Sequence, residues 1–515
     1  MRGLQQGGER RIAAALRIAL VAVLLALQIA VVVGLAYLLE QRAAIVYAML
    51  QAAGLAAAVY IYNRRGDAMY KFTWIILILT VPVVGLILYL LWSGDSQRRH
   101  LRRRAPRPED EPESVRSRGE MNGDKLGHSM PQWARLANSL RRRGFPVYRG
   151  TRVTYLPEGK ALLDDLIEQC RRAERFIFLE YFILAEGEIW DRLSAVLYEK
   201  ARAGVEVKII FDDFGNIKRF RGETIDALRG AGIDVYVFNP VQRYVNRLYF
   251  NYRDHRKIAC IDGDVAYTGG VNVADEYANL IVRFGYWKDS GIRLDGEGAW
   301  GLTKAFLEML RFLGEAPDHE RDYYRPHGDV RADGMCQPFT DGPQNNPDNP
   351  AEDAFLQMIA GAKRFLYITT PYFVPDDTVL RALYIAGDGG VDVRLMLPAI
   401  PDHRYTDLVA DSHIGALLEH GVKVYRYTPG FLHQKTVMVD REVAFVGSVN
   451  MDYRSFELHN EDGVLLYGSP AIEDILEDMD EIVAQSHPVT MEEWNRRGWF
   501  RRAAELVLRI FAIWM

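Results

Sequence analysis

The sequence predicts an α/β protein of two αβ sandwich lobes, related by a pseudo-twofold duplication and preceded by N-terminal transmembrane helices. Three observations predict it. A block beginning at His255 returns at His433 without a gap. Strand-like and helix-like stretches alternate ahead of each copy. The first hundred residues, by contrast, are mostly apolar.

Residues 1–97 read as a membrane anchor of two to three hydrophobic segments. Residues 18–39 are an apolar run of the ~20 residues that cross a bilayer. Residues 45–62 are a shorter run rich in Ala and Gly, and 72–92 are a third, interrupted by Pro82 and Gly85. A cleaved signal peptide competes for the first run, because Arg10, Arg11 and Arg17 precede it. The length of that run, and the membrane-grade sequence directly after it, favour an anchor. Positive residues gather before the first run, at Arg64, Arg65 and Lys71, and again from Arg98 to Arg104. The positive-inside rule wants all three clusters in the cytoplasm, which three full crossings do not deliver. Two crossings followed by a segment that dips in and returns near Pro82 and Gly85 would deliver it. One cluster lying on the wrong side is the alternative. The portion after residue 97 is expected to face the cytoplasm.

Residues 98–130 are charged, Pro-bearing and nearly free of large apolar side chains, so they read as a linker without a core. The first lobe is expected over 131–325 and the second over 326–490. In the first, 175–184 and 204–213 read as buried strands around a helix at 189–202. In the second, 364–374 and 390–398 do so around a helix at 380–386. Such alternation indicates a parallel or mixed sheet covered by helices. The tail, 491–515, is expected to be an amphipathic helix in which Trp494, Trp499, Phe500, Leu506, Leu508, Phe511 and Trp514 stand among arginines. Packing on the lobes and lying on anionic lipid fit it equally.

Composition narrows the function. A chain of 515 residues with 49% apolar content suggests roughly two to four domains. The net charge of −5 argues against nucleic acid as a partner. Cys170, Cys260 and Cys336 are too few and scattered for a disulfide framework or a zinc cage.

The repeat carries the chemistry. His255, Lys257 and Asp262 superpose on His433, Lys435 and Asp440 at an offset of 178, and the same offset aligns Gly269 with Gly447 and Asn272 with Asn450. Each copy supplies an imidazole, an ammonium, a carboxylate and then glycine beside an amide. A phosphodiester resists attack because its oxygens are anionic, so a site must neutralise charge and align the reacting atoms. Lys257 and Lys435 supply positive charge, and Asn272 and Asn450 can donate to the non-bridging oxygens. One imidazole attacks phosphorus while the other serves as general acid and base. The sequence does not break the symmetry between them. Asp262 and Asp440 are grouped with the catalytic set but are expected to organise it. Gly269, Gly270 and Gly447 can shape turns as well as admit phosphate. The Asp212–Asp213 pair suggests metal at first sight, but strand-end carboxylates more often cap or line a cleft. No metal or other cofactor is expected.

The doubled HxKxxxxD pattern, followed by GG or GS and then Asn, resembles the phospholipase D superfamily. The text around it, including LEYFILAEGEIW, TGGVNVADEY, YWKDSGIRLDG, TPYFVPDD and SVNMDYRSFELHNE, is similar to that of bacterial cardiolipin synthases. That resemblance spans nearly the whole chain. It implies two phospholipase D-like lobes, with His255 as nucleophile and His433 as acid and base. It further implies that Glu461 holds the tautomer of the nucleophilic histidine, with Asp289 as its counterpart for the first half. His459 stands where many relatives carry Asn. The implied reaction condenses two phosphatidylglycerol molecules to cardiolipin and glycerol at the bacterial inner membrane, through a phosphatidyl-histidine. The implied partners are the phospholipid membrane and the phosphatidylglycerol substrate. A hydrolytic phospholipase D making phosphatidic acid is the alternative. A catalytically dead scaffold and a nuclease are further readings, opposed by the two intact motifs and by the anchor.

Overall fold

The computed structural model describes residues 26–31, 40–64, 68–92, 113–240, 252–315, 317, 319–325, 334–344 and 348–509. Of the first apolar run only 26–31 are described, and they are helical; Arg10, Arg11, Arg17 and the arginines from 98 to 104 lie outside the described residues.

Three helices follow: α1 (Glu40–Tyr62), α2 (Ala68–Thr80) and α3 (Pro82–Trp92). Within α1, Ile45–Tyr62 is long and apolar enough to cross a bilayer. The expected 72–92 segment is two helices, because the chain folds back at Val81 and Pro82. Trp74 and Tyr89 lie edge to face at 5.5 Å, and a Cβ on Gly85 would fall 2.7 Å from the Cα of Ile78. Only glycine permits that approach. Tyr70 of α2 stacks on Tyr453 of the second lobe at 6.2 Å.

The expected linker requires a correction. Residues Glu113–Ser129 form helix α4, which buries Val115, Gly119, Asn122, Gly123 and Leu126. Small and aliphatic residues at helical spacing make one narrow face, and Gly119 lets Pro146 approach where a side chain would collide. The next helix, α5 (Ala134–Arg142), follows it into the second lobe's outer core.

Two sheets form the body. The first runs β1 (Thr151–Leu156), β9 (Gly291–Gly296), β7 (Val265–Gly269), β6 (Lys257–Ile261), β2 (Phe176–Tyr181), β3 (Glu206–Asp212) and β4 (Asp234–Phe238). The second repeats that order with β10 (Met335–Asp341), β19 (His459–Tyr467), β17 (Val443–Gly447), β16 (Thr436–Val439), β11 (Phe365–Thr369), β13 (Asp392–Pro398) and β14 (Lys423–Tyr427), and then adds β20 (Ser486–Pro488). In both, three parallel strands adjoin antiparallel ones. Duplication is therefore visible strand by strand.

Helices α6 (Gly159–Arg172), α7 (Glu188–Arg202) and α9 (Gly222–Gly230) cover the outer face of the first sheet, while α8 (Asp213–Asn216) is one turn at the end of β3. Helices α11 (Pro350–Gly361), α12 (Asp377–Asp388) and α13 (Arg404–Glu419) cover the second. Between the sheets lie α10 (Ala299–Leu313) and α15 (Ala471–Ala484) in one apolar core that draws Phe178, Ile258 and Leu294 from one lobe and Met438, Val464 and Leu466 from the other. Because neither inner face could be left in water, the lobes are locked together. Up to residue 509 the tail is two helices, α16 (Met491–Asn495) and α17 (Trp499–Arg509), in place of the single one expected, with Gly498, a poor helix former, between them; Phe511 and Trp514 lie outside the described residues.

Candidate active site

Two short strand pairs carry the histidines across the lobe boundary. Strand β5 (Arg253–Asp254) joins the start of β19 in parallel, and the His255 N–H then donates to the Asn460 carbonyl at 2.9 Å. Strand β15 (Gly430–Leu432) joins β8 (Tyr286–Lys288) in parallel, and the His433 N–H donates to the Lys288 carbonyl at 2.7 Å. Each histidine thus belongs to one lobe and is held by the backbone of the other. Both imidazoles sit just ahead of the central strands, His255 two residues before β6 and His433 three residues before β16.

The carboxylates cross in the same way. Both oxygens of Glu461, in the second lobe, face Nδ1 of His255 at 2.9 and 3.0 Å. Asp289, in the first lobe, faces Nδ1 of His433 at 2.6 Å. A carboxylate that keeps the proton on Nδ1 leaves Nε2 as the exposed lone pair, while the Lys435 ammonium beside His433 Nδ1 offers that ring the other tautomer. Glu461 also accepts from the hydroxyls of Ser448 at 2.5 Å and Ser455 at 2.8 Å. Among the described residues Asp289 accepts besides only from the Ser290 amide, at 2.9 Å, and it fits because residue 270 is glycine: a Cβ there would fall 2.1 Å from its Oδ1.

Lys257 and Lys435 each donate to the carbonyl of the histidine two residues before. Lys435 also comes within 2.8 Å of His433 Nδ1. Both ammoniums are buried, and desolvation pulls Lys257 down to about 8 and Lys435 to about 7. Burial holds both imidazoles well below their usual value, and the two lysines push in the same direction, so they are neutral near pH 7. Burial raises Asp289 to about 7 against the pull of Lys435. Each histidine is influenced by the lysine of the other motif, so the two halves form one centre.

Asp262 and Asp440 depart from the expectation. They sit at the far ends of β6 and β16 from the imidazoles. Asp262 accepts from the amides of Glu174, Arg175 and Phe176 at 2.7 to 2.9 Å, and Asp440 from those of Lys363, Arg364 and Phe365 at 2.8 to 2.9 Å. Both have positive φ, 56° and 54°. A carboxylate is the acceptor that can satisfy three amides converging at the start of a strand, so these residues build the scaffold and do not reach the reacting atoms. Asn272 is also partly spoken for. Its carbonyl accepts from the Ile183 amide at 3.0 Å and its amide donates to the Tyr277 hydroxyl at 2.7 Å. The buried side-chain carbonyl of Asn450 has no hydrogen-bond partner among the described residues. Asp212 pins β5, accepting from Asp254 N at 2.9 Å and Phe214 N at 2.7 Å.

Sequence reasoning missed the aromatic walls: Phe182 lies 5.2 Å from the His255 ring, while Tyr277, Trp287 and Phe431 lie 5.4 to 5.5 Å from that of His433. It missed Ser455 too, although the offset of 178 places it on Tyr277. His459 donates no bond to Glu461, at 3.6 Å, and accepts from Arg454 Nε at 3.2 Å. Ligand atoms of His255, His459 and Glu461 lie within 4.8 Å of one another, an arrangement that could hold a cation. A cation there would compete with the proton between His255 and Glu461.

Comparison with known proteins agrees with this geometry. Residues 165–281 and 355–483 match the family model described as cardiolipin synthase, PLD-like domain, and 52–94 match the phospholipase D-nuclease N-terminal model. The chain is 33% identical to the major cardiolipin synthase of Bacillus subtilis over 470 residues, 89% of this chain and 96% of that one. It is 35% identical to an uncharacterised Streptococcus mutans protein, over 89% of this chain and 99% of that one. The crystal structure of a Haemophilus influenzae phosphatidylserine synthase, 14% identical, superposes with a TM-score of 0.56 over 73% of this chain and 97% of that one, which shows a shared fold. The doubled motif, the matching sheets and these relatives place the chain in the cardiolipin synthase family of the phospholipase D superfamily.

Proposed function

We propose that the protein is a membrane-bound phosphatidyltransferase that condenses two phosphatidylglycerol molecules to cardiolipin and glycerol. The observation that carries the mechanism is the crossed pair: two buried neutral imidazoles, each held at Nδ1 by a carboxylate of the opposite lobe. The lobes act in the cytoplasm at the inner membrane, anchored by α1 and the α2–α3 hairpin, a topology with the third segment dipping in and returning.

His255 Nε2 attacks the phosphorus of the first lipid, the P–O bond to glycerol breaks, and His433, in the tautomer whose Nδ1 accepts from Lys435 or from protonated Asp289, gives its Nε2 proton to the departing alkoxide while Nδ1 takes one from that neighbour. The terminal hydroxyl of a second phosphatidylglycerol then loses its proton to His433 and attacks the same phosphorus, the N–P bond breaks, and cardiolipin leaves. One phosphodiester replaces another, so the exchange needs no external energy source. Lys257 and Lys435 neutralise the phosphate, and the side-chain amides of Asn272 and Asn450 can donate to its oxygens. An anionic phosphate entering the site also draws the depressed lysines back toward their charged form.

The role assignment rests on what each Nδ1 faces. Among the described residues His255 Nδ1 meets only the Glu461 carboxylate, itself stabilised by two hydroxyls, so the proton stays on Nδ1 and Nε2 remains a lone pair. His433 Nδ1 meets both Asp289, raised to about 7, and the Lys435 ammonium, so its proton can move. A fixed tautomer suits a nucleophile, and a mobile proton suits an acid and base. The burial of both rings, 8% and 5% exposed, limits bulk water and favours an alcohol acceptor over hydrolysis.

The test is lipid mass spectrometry on the purified protein reconstituted with phosphatidylglycerol in excess chelator, beside His255→Ala. Cardiolipin and glycerol should appear together and vanish in the variant. Phosphatidic acid in place of cardiolipin would make it a hydrolase, and strict dependence on a divalent ion would sink the mechanism.

A further inference from the structure

Helix α17 is turned inside out. A surface helix ordinarily buries its apolar stripe and shows its charges to water. Here Arg501 pairs with Asp411 of α13, and Glu505, 4% exposed, pairs with Arg497 at 2.9 Å. Trp494 and Arg497 both donate to the Asp411 carbonyl at 3.2 Å. The charged side is thereby pinned to the lobe. The opposite side shows Trp499 (68% exposed), Phe500 (72%), Leu506 (72%) and Val507 (56%). Trp499, Ala503, Leu506 and Val507 recur at one helical face, and all four are exposed.

Four large apolar side chains held outward by an ionic cluster on the inward side do not serve the protein core. Two features identify what they meet. Tryptophan and arginine at the margin of an apolar stripe suit the headgroup layer of an anionic bilayer; residues 491–509 carry five Arg against three Glu. Continuity with the membrane-grade helices is the second. Leu508 packs on Val374 and Val409. Val374 belongs to β12 (Phe373–Val374), which pairs with β18 (Met451–Asp452). The next residue, Tyr453, is the one that stacks on Tyr70 of α2. Helix α17 and the hairpin therefore flank the same strand pair, directly after Asn450.

We propose that α17 lies in the headgroup layer of an anionic phospholipid bilayer, apolar face toward the acyl chains, and with the α2–α3 hairpin sets the Asn450 side of the active site against that surface. The inference places a second membrane contact at the opposite end of the chain from the anchor, and it concerns orientation, not the chemistry.

The test uses the full-length protein in vesicles. Leu506→Cys is labelled with an environment-sensitive fluorophore, beside Asp226→Cys on α9 as a water-exposed control; the native cysteines are buried. In phosphatidylglycerol vesicles the 506 probe should shift to the blue and be quenched by nitroxide-bearing acyl chains, with the control unchanged. A 506 probe that stays in water overturns the proposal. So does a shift that appears in detergent and grows with protein concentration, which would mean a second copy covers the face. Equal quenching in purely zwitterionic vesicles overturns the anionic requirement. This readout needs no turnover, so it fails independently of the proposed reaction. A second variant, with Trp499, Phe500, Leu506 and Val507 all changed to Ser, should lose about ten-fold on bilayer phosphatidylglycerol through misplacement of the site. It should retain activity on a short-chain analogue dispersed as monomers, and equal loss on both substrates overturns the orienting role.

Discussion

The two halves of the active site share a plan and differ in their carboxylates. In one, a glutamate is fixed by Ser448 and Ser455 and grips His255 with both oxygens. In the other, an aspartate lies against Gly270, where the first lobe has no serine, and shares His433 with a lysine. The offset of 178 sets Gly270 opposite Ser448 and Tyr277 opposite Ser455. Duplication placed two equal histidines at an interface, and a few neighbouring substitutions gave them unequal protons. In the proposed two-step transfer that difference has a use, since one ring would attack while the other carries a proton out and back.

The largest effect, and the one that could break the comparison outright, comes from the histidines. His255→Ala and His433→Ala should each lower turnover on the order of 10⁴-fold. Given a phosphatidyl ester with a leaving group that needs no protonation, His433→Ala should accumulate a covalent adduct on His255, seen by intact-protein mass spectrometry, and His255→Ala should show none. An adduct on His433 reverses the assignment.

The carboxylates should cost less, on the order of 10²-fold each, and in different steps. Glu461→Gln loosens the His255 tautomer and should slow adduct formation. Asp289→Asn removes the acceptor that shares the His433 proton and should slow resolution, so that adduct builds up. Equal effects on both steps would erase the distinction between the halves.

The sequence shows the repeat, the two lobes and the histidine–lysine pairs, because those rest on residue identity and spacing. Glu461 and Asp289 were legible only through resemblance: the six extra residues between His255 and Asp289 break the register that ties His433 to Glu461. The crossing of the carboxylates was not legible, since it depends on β5 and β15 leaving their own sheets for the other lobe. Residues 113–129 read as linker because composition weighs every residue alike, while burial needs only Val115, Leu126 and some glycines on one face. Asp262 and Asp440 are grouped with the catalytic set because a motif does not say which end of its strand faces the substrate.

Acidity should give a smaller, graded change, about ten-fold between pH 7 and 9 in kcat/KM. Lys435, at about 7, and Lys257, at about 8, are charged below those values and lose charge above them. Asp289, at about 7, is protonated below and ionised above. All three give up protons as pH rises, so competence of the free enzyme falls on the alkaline side. The imidazoles are already neutral near 6.5, so no acidic limb belongs there. Lys435→Arg, which keeps its charge, should move the fall upward. A rate that rises from pH 6 to 7 would show that a histidine must first lose a proton.

The smallest effect on chemistry is expected where the halves are alike. Asp262 and Asp440 each collect three amides at the start of the edge between lobe core and loop, with nearly identical φ and distances. Asn at either position tolerates the left-handed backbone but brings a neutral acceptor where charge-assisted bonds were made. Each substitution should therefore cost about 2–3 kcal/mol of stability, read as a lower unfolding midpoint of the detergent-solubilised protein. Turnover per folded molecule should stay within about two-fold, because neither carboxylate touches the imidazoles. The two variants should also match each other. If Asp262→Asn abolished turnover in protein that still folds, while Asp440→Asn did not, the asymmetry of the site would have to extend down the strands, and the scaffold could no longer be treated as the part that duplication left unchanged.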